Sequence, residues 1–547
     1  MNALERGQRA LDAADWETAK DAFSKALEAN DAAAGAMDGL SEALWWLGDW
    51  VASRELRERA FTKHRATGKP LEAARAALWI ANEHLVALGN RAAWNGWLER
   101  AAGLLQEVPP CADHGWLIIT RGRRAVDANE CLEACTAALE IGRRHKDIDL
   151  EVFALSQLGR SLVALGRVDE GFARLDEAMV AVTAGEPRSF FAICDTCCNM
   201  LTTCESTVEM ERLTQWCRAT DEVSRRLKGL TLFAMCRFSY ASVLVAMGRW
   251  EEAEKELRSG IDGGGMAYPT YVTNHVMTKL AELRVLQGRL AEAEELLAGN
   301  EEGSAVRAVA SLRLAKGEAD AAVRLIERRL LQIESDVVQS ASLWPLLVDA
   351  LLAAGDIEGA AKAATRLDEV ATSMKRAACL ATAKMALGLV ALAKTQKTAW
   401  AILDDARERF VALEMPFHAA RARLAVARAL KADDPDTARE TARGARAELE
   451  RIGATRDVAS AAELLRELGV GGGPGKRSQG LLSTREDEVL ALIAMGLSNA
   501  EIGGRLFISP KTVEHHVGKI LAKLGIKSRA AAAAYITRQR AEESGRK

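Results

Sequence analysis

Residues 482–529 read LSTREDEVLALIAMGLSNAEIGGRLFISPKTVEHHVGKILAKLGIKSR and contain three helix starts in close succession. Two Ser–Glu pairs have the spacing of a capping box, in which each side chain satisfies a free backbone N–H of the other residue. These pairs are Ser483 with Glu486 and Ser498 with Glu501. Ser509 offers a third N-cap oxygen, and Pro510 follows at a position where its missing N–H costs no hydrogen bond. Short helices joined by so tight a turn predict a helix-turn-helix that reads DNA.

The helix that begins at Pro510 divides into two faces. Apolar residues recur at helical spacing, and we expect them to face the core of a small domain. They are Val513, Val517, Ile520, Leu521 and Leu524. The other face is mostly polar or basic and forms the predicted DNA-binding set. Its members are Lys511, Thr512, Glu514, His515, Gly518, Lys519 and Lys523. Taken alone, such a helix would more often be a solvated surface helix, so the neighbouring motifs decide its role.

The whole stretch resembles the LuxR-type, or FixJ-type, helix-turn-helix family. The family pattern runs L-T-x-R-E-x-E-V-L, G-L-S-N-x-E-I-A, I-S-x-x-T-V-x-x-H and K-L-G with a final Arg. Its elements correspond here to Leu482–Leu490, Gly496–Gly503, Ile508–His516 and Lys523–Arg529. So many fixed offsets make the match far more specific than a single short motif.

The sequence departs from the family pattern at two positions. Ser483 stands where the family usually has Thr, and either hydroxyl can cap a helix. Gly503, followed by Gly504, stands where the family usually has Ala. Because each glycine in a helix costs about 1 kcal/mol relative to Ala, we expect this helix to be less stable than those of its relatives.

The resemblance implies a division of labour on the predicted recognition helix. Thr512 and Lys519 would hold phosphates, while Glu514, His515 and Gly518 would face base edges. The family also implies a homodimer on an inverted-repeat operator in double-stranded DNA. Dimerisation would use the final helix, Ser528–Arg540, through Ala532, Tyr535 and Ile536.

Charge and composition separate this domain from the rest of the chain. From Gly471 onward there are 13 basic and 7 acidic residues, a net charge of +6, so the remainder carries −9 within a total of −3. A basic tail on an acidic body suits a phosphate-binding module joined to a region that does not bind DNA. The segment GVGGGPGKRSQG at residues 469–480 predicts a flexible linker. Its GPGK lacks the spacing of a phosphate loop, and Arg477 follows the lysine where Ser or Thr is required.

The region before the linker consists of related helical hairpins. Each copy has an apolar helix end, a turn glycine, a bulky residue, and then Ala and Leu at helical intervals, as in LVALGRVDEGFARLDEAM and LVAMGRWEEAEKELRSG. The turn glycines lie mostly about 40 residues apart or twice that, a period typical of helix-turn-helix solenoids. They are Gly48, Gly89, Gly166, Gly248, Gly288, Gly317 and Gly355. The region resembles a degenerate tetratricopeptide (TPR) array of about eleven hairpins, in which each hairpin should contact mainly its neighbours.

The remaining candidates for a chemical site have simpler interpretations. A cluster of cysteines contains the C-x-x-C spacing of a metal or redox site, but no second tight pair completes four ligands. Its members are Cys194, Cys197, Cys198 and Cys204, with Cys217 and Cys236 further on. We favour small buried residues over a metal site. Trp46, Trp94 and Trp97 are weak candidates for a ligand surface.

The sequence therefore predicts an all-α protein with three parts: a TPR-like α-solenoid at 1–468, a linker at 469–480, and a four-helix LuxR-type domain at 481–547. It predicts a bacterial transcriptional regulator, controlled by a protein, peptide or small-molecule effector on the repeats. We expect no enzymatic activity, cofactor or bound metal. The N-terminus is no signal peptide and no apolar run approaches a membrane span, so we expect a cytoplasmic protein, nucleoid-associated when bound to DNA.

The expected layout resembles the C-terminal part of the large ATP-binding LuxR regulators, without their ATPase. Two alternatives remain open. The protein could be a TPR-type interaction scaffold with vestigial DNA binding, or the cysteine cluster could make it a metal or redox sensor.

Overall fold

The structure is a computed structural model of the 547-residue chain. It describes residues 2–29, 34–123, 125, 127–227, 230–261, 270–300, 303–469, 482, 484–506 and 510–544. Within these ranges every regular element is helical, as the sequence predicts.

Twenty-five α-helices and one short 3₁₀-helix precede Gly469 in the described residues. The α-helices are α1 (Ala3–Asp12), α2 (Trp16–Ala29), α3 (Ala34–Leu47), α4 (Trp50–Ala66), α5 (Pro70–Leu88), α6 (Arg91–Leu105), α7 (Ala112–Gly122), α8 (Ala128–His145), α9 (Ile148–Ala164), α10 (Val168–Ala184), α11 (Phe190–Thr207), α12 (Met210–Arg226), α13 (Leu230–Ala246), α14 (Trp250–Ile261), α15 (Thr270–Leu286), α16 (Leu290–Leu297), α17 (Val306–Ala315), α18 (Ala319–Gln332), α19 (Val337–Ala354), α20 (Ile357–Met374), α21 (Ala377–Ala393), α22 (Ala399–Ala412), α23 (Pro416–Leu430), α24 (Pro435–Ile452) and α25 (Thr455–Glu467). The 3₁₀-helix is Gly303–Ala305. Successive helices pack as twelve hairpins followed by the single helix α25, close to the predicted eleven.

The turn inside most of the hairpins is built around a residue in the left-handed conformation, although the described turn between α23 and α24 has none. All seven predicted turn glycines have φ between 63° and 88°. In most of these turns the next N–H donates to the carbonyl five residues earlier, as in Arg167 to Leu162 at 2.9 Å and Asp356 to Leu351 at 2.9 Å. This bond satisfies a carbonyl that the end of a helix would otherwise leave without a donor.

Some hairpins make the same turn without glycine. Ala14, Val208 and Thr395 have φ of 52°, 60° and 53°. The N–H of Glu209 still donates to the carbonyl of Cys204 at 2.8 Å. A β-branched residue such as Val208 is strained in this conformation, so the surrounding packing imposes the turn. These substitutions explain why the glycine period is interrupted in the sequence.

Close approach of backbones sets the packing within a hairpin. A Cβ added at Gly159 of α9 would lie 2.7 Å from the carbonyl oxygen of Gly171 in α10 and 2.7 Å from Cγ of Leu175. A Cβ added at Gly171 would meet the carbonyl oxygen of Gly159 at 2.5 Å. The two glycines therefore let α9 and α10 approach each other more closely than any larger residue would.

A buried arginine joins three successive helices. The side chain of Arg284 in α15 is fully buried, and its guanidinium binds Glu254 of α14 at 2.7 Å and Glu292 of α16 at 3.1 Å. The hydrogen bond from Arg284 lowers the pKa of Glu254 to about 2. Because removal of one partner would leave an unpaired buried charge, this cluster ties α14, α15 and α16 into one unit.

Contacts between successive helices dominate the array, and a few further contacts join hairpins that are far apart in the sequence. Arg376 binds Glu209 at 3.1 Å across 167 residues, and the backbone N–H of Ala128 donates to Ser335 at 3.1 Å across 207 residues. One core cluster joins Val370 and Met374 to residues of α7–α13. Hairpins far apart in the sequence thus meet as the array coils, and this contact buries apolar surface that a straight array would expose.

The tryptophans considered as ligand candidates belong to the packing. Trp46 stacks on Trp16 at 5.8 Å and meets the ring of Phe190 edge-on at 4.6 Å. Trp97 meets Phe61 edge-on at 5.0 Å, and Trp94 is buried. The structure therefore does not support a ligand surface made by these rings.

One described helix, α19, is long and apolar enough to cross a membrane by length and composition, contrary to the expectation that no run approaches a span. Its residues Leu343, Leu347 and Val348 are buried in a core cluster with α18, α20 and α21. Asp349 of the same helix binds Arg421 at 3.3 Å. These contacts are those of a core helix within the repeat array.

The described residues after Gly469 form four helices: α26 (Thr484–Ala494), α27 (Asn499–Leu506), α28 (Pro510–Leu524) and α29 (Arg529–Ser544). The two glycines of α27 differ in their surroundings. Gly503 is buried, whereas a Cβ added at Gly504 would meet nothing within 4 Å. Gly503 therefore belongs to the packed interior of the domain, while no packing constraint explains Gly504.

Substitution of Gly159 by Ala should destabilise the protein by about 1–3 kcal/mol, because the added methyl group would clash with the backbone of α10. The matched control is Gly103→Ala in α6, where the new methyl group meets nothing within 4 Å. Higher helix propensity should make this control more stable by about 0.5–1 kcal/mol. Chemical denaturation measures both changes, and equal effects of the two substitutions would contradict the close approach of α9 and α10.

Substitution of Gly504 by Ala should stabilise α27 by about 1 kcal/mol, since the methyl group gains helix propensity without a clash. Amide hydrogen exchange in α27 of the full chain should slow by about fivefold. Unchanged or faster exchange would show that the glycine has a structural role.

Candidate nucleic-acid interface

The four helices α26–α29 enclose a small apolar core. Its buried members include Val489, Ile502, Val513 and Ile520, each with no more than a trace of exposed surface. The other predicted core residues of α28, which are Val517, Leu521 and Leu524, are half-buried against the same cluster. The predicted inner face of α28 is confirmed, and the opposite face of this helix is directed away from the core.

The predicted capping box at the start of α27 is confirmed. The backbone N–H of Ser498 donates to the carboxylate of Glu501 at 2.7 Å, and the N–H of Glu501 donates to the hydroxyl of Ser498 at 3.3 Å. These hydrogen bonds lower the pKa of Glu501. The caps predicted from Ser483 and Ser509 lie outside the described residues, although α28 does begin at Pro510.

Arg529 joins the start of α29 to the start of α27. Its guanidinium donates to the side chain of Asn499 at 2.6 Å and to the backbone carbonyl of Leu497. The turn before the helix-turn-helix is therefore fixed from the far end of the domain. In the sequence this arginine was recognisable only as the last element of the family pattern, with no role attached to it.

The outward face of α28 carries the predicted DNA-binding residues. Glu514 and His515 each lie three or four positions from both Lys511 and Gly518, so the four positions share one side of the helix. Glu514 and Gly518 are exposed. The side chains of Lys511, Thr512 and His515 lie outside the described residues. The base-reading and phosphate-binding roles of these positions stay predictions.

Two lysines of the predicted set are paired with carboxylates. The ammonium group of Lys523 donates to Glu486 of α26 at 2.7 Å, and the Glu486 side chain is buried. This ion pair braces α28 against α26. The ammonium group of Lys519 donates to Glu440, which belongs to α24 of the repeat array. No local feature of the sequence points to Glu440.

The predicted dimerisation residues lie on α29 and contact the domain's own core. Ala532 is fully buried, and Tyr535 and Ile536 are half-buried against the same cluster. The side chain of Ala532 thus packs inside one copy of the domain, and only the exposed parts of Tyr535 and Ile536 could meet a second copy. Dimerisation through α29 stays a prediction.

The described cysteines of the cluster are packed as small apolar residues, and the side chain of Cys236 lies outside the described residues. Cys197 and Cys204 are fully buried in the core shared by α7–α13. Burial raises the pKa of Cys197 and of Cys217 to about 12. Neutral thiols are poor metal ligands. Among the described residues, no group of three or more His, Cys, Asp or Glu side chains could hold a metal ion.

The structure brings together a second pair of thiols, Cys131 and Cys135, which no motif in the sequence indicates. Cys131 of α8 lies one helical turn before Cys135, and the hydroxyl of Ser161 donates to its sulfur at 3.1 Å. The hydrogen bond from Cys135, with that from Ser161, lowers the pKa of Cys131, while the pKa of Cys135 is raised. Both side chains are buried in the core shared by α7–α13.

Comparison with known proteins agrees with this geometry. Residues 480–536 match the GerE family, described as "Bacterial regulatory proteins, luxR family". The chain is 55% identical over 49 residues to the Oxygen regulatory protein NreC of Staphylococcus aureus strains JH9 and JH1. The matched segment spans 9% of this chain and 23% of that relative.

Two solved structures are similar to most of the chain. The crystal structure of the APC/C hetero-tetramer Cut9-Hcn1 has a TM-score of 0.39 at 13% identity, covering 85% of this chain and 95% of that chain. The crystal structure of the yeast Tom70 has a TM-score of 0.32 at 13% identity, covering 80% and 98%. These scores are too low to support any functional comparison, and the repeat architecture rests on the hairpins themselves. Residues 480–536 thus form a DNA-binding domain of the luxR family of bacterial transcriptional regulators, joined to a TPR-like array of helical hairpins.

Proposed function

We propose that the whole protein is a sequence-specific transcriptional regulator whose binding to DNA is controlled through its helical repeats. The observation that carries this proposal is the geometry of α27 and α28. One face of α28 closes the core of the domain through Val513 and Ile520, and the other presents Glu514 and Gly518 to solvent. A helix of this length and exposure fits the major groove of DNA.

The repeat array supplies the regulatory part of the proposal. Stacked hairpins offer extended surfaces suited to a protein, a peptide or a small molecule. The effector would act by changing how the array and the DNA-binding domain are arranged. No catalytic group is assigned, and we expect the chain to have no enzymatic activity.

The proposal includes two copies on the DNA. A homodimer would place two α28 helices on the half-sites of an inverted repeat, because a two-fold protein matches a two-fold operator. A transcription-regulator domain works inside the cell, and the protein would associate with the nucleoid when bound to its operator.

The test is selection of binding sites from random double-stranded DNA by the full chain. Enrichment of one inverted-repeat motif, followed by tighter binding of that motif than of a scrambled duplex, would support the proposal. Recovery of unselected sequences, with equal affinity for both duplexes, would instead favour a scaffold with vestigial DNA binding.

Glu514 provides a sharper prediction about base reading. A carboxylate repels phosphate, whereas it can accept a hydrogen bond from the N4 amino group of cytosine. Glu514→Ala should therefore relax the preference at one operator position by about 1–3 kcal/mol, with little loss of non-specific binding. Parallel site selection with the wild type and the variant measures this effect.

The matched control is Glu133→Ala, which makes the same chemical change at an exposed position of α8. This control should select the same sites as the wild type. Identical site preferences for the wild type and the Glu514→Ala variant would reject the base-reading role of Glu514.

A further inference from the structure

A polar cavity lies at the starts of four helices of the array, α5, α7, α9 and α11. Its volume is about 650 Å³, and its lining combines charged side chains with the thiol of Cys111. The positive ends of the helix dipoles meet at this cavity. A negative charge that forms on a side chain of the lining is therefore stabilised.

The thiol of Cys111 is paired with an imidazole. Its sulfur lies 3.5 Å from Nδ1 of His114, and the backbone N–H of Cys111 donates to the same nitrogen at 3.3 Å. A ring nitrogen that accepts a backbone N–H carries a lone pair and no hydrogen, so the ring hydrogen belongs to Nε2. Nδ1 of His114 can therefore accept the proton of the thiol.

The carboxylates near the thiol are engaged by other groups. Oδ2 of Asp113 lies 3.8 Å from the sulfur of Cys111, but both oxygens of Asp113 accept hydrogen bonds from Arg75, at 2.8 and 2.9 Å. Asp149 accepts two backbone N–H groups just before α11. Lys146 adds a positive charge to the same lining. The repulsion that these carboxylates exert on a thiolate is therefore reduced.

Access to the cavity separates Cys111 from other cysteines of the array. Burial raises the pKa of Cys197 to about 12 and that of Cys379, which is half-buried, to about 11. Such neutral thiols react slowly, because the thiolate is the nucleophile. Cys111 is also half-buried, but its side chain lines the cavity and has a proton acceptor beside it.

A simpler explanation is that Cys111 and His114 only cap α7. His114 occupies the third position of this helix, where Glu or Gln commonly returns a hydrogen bond to the N–H of the N-cap residue. Capping explains the bond at 3.3 Å, but it requires neither a thiol nor a cavity. Because glutamine would cap the helix equally well, capping and proton transfer can be separated by substitution.

We propose that Cys111 is a site of oxidation by peroxides, and that His114 is the base that activates its thiol. With hydrogen peroxide, the thiol proton moves to Nδ1 of His114, and the thiolate sulfur attacks one oxygen of the oxidant. The O–O bond breaks as the S–O bond forms, so sulfur loses the two electrons that the peroxide gains. The leaving hydroxide takes the proton from His114, which yields a sulfenic acid and water.

The inference goes beyond the proposed function and does not depend on it. A small polar oxidant suits the charged lining of the cavity. Because Cys111 contacts Asp113, the new S–O group forms beside the ion pair of Asp113 with Arg75, which joins α7 to α5. Oxidation would therefore change the charge and volume at a contact between successive hairpins.

The test compares His114→Gln with the matched control His145→Gln in the full chain. The first substitution keeps a capping side chain and removes the base. The second removes an imidazole that lines the same cavity from the last turn of α8. Each protein is treated with hydrogen peroxide, sulfenic acids are trapped with dimedone, and the modified cysteines are quantified by mass spectrometry. Rates are compared at a temperature at which circular dichroism shows all three proteins to be folded.

In the wild type we expect Cys111 to be trapped at least about tenfold faster than Cys379, which serves as internal reference. The substitution His114→Gln should slow trapping at Cys111 by about tenfold or more, since a positioned base contributes on the order of a hundredfold or more to proton transfer. Trapping in His145→Gln should match the wild type.

Equal trapping of Cys111 and Cys379 in the wild type would overturn the oxidation site. Fast trapping of Cys111 that His114→Gln leaves unchanged would overturn the role of His114 and leave only its capping function. Equal slowing by both histidine substitutions would point to the general charge of the cavity, and it would likewise reject His114 as the base.

Discussion

The left-handed turn found in most of the hairpins is the constraint on which the array depends. It reverses the chain within two residues, and its hydrogen bond, such as that from Arg167 to Leu162, satisfies a carbonyl at the helix end. With the reversal set, the two helices lie side by side, and small residues such as Gly159 and Gly171 determine how closely they approach. A wider turn would separate the helices and expose their apolar faces.

Repetition of this unit explains why charged residues occur inside the array. A hairpin buries only one side, and its other surfaces become interior when further hairpins pack on them. Arg284 is fully buried in this way and is compensated by Glu254 and Glu292. Contacts such as that of Arg376 with Glu209 add further stabilisation, because they join hairpins that are distant in the sequence. The array therefore behaves as more than a chain of nearest neighbours.

The DNA-binding domain follows a different principle, in which a minimal core supports an exposed helix. The buried side chains of Val513 and Ile520 hold α28 against the core, and Arg529 fixes the turn before α27 through its hydrogen bond to the carbonyl of Leu497. The outward face of α28 contributes little to this core, as the exposed Glu514 and Gly518 show.

Local patterns in the sequence determined the helical hairpins, the turn glycines, the capping box of Ser498 with Glu501 and the inner face of α28, because each depends on residues a few positions apart. Ala14, Val208 and Thr395 occupy left-handed turns that no local signal marks, since tertiary packing imposes the strain. Only the tertiary structure decided which distant hairpins meet, that Cys131 lies beside Ser161, and that Glu440 pairs with Lys519. Such pairings depend on how small rotations between hairpins accumulate along the array. No short stretch of sequence determines the accumulated rotation.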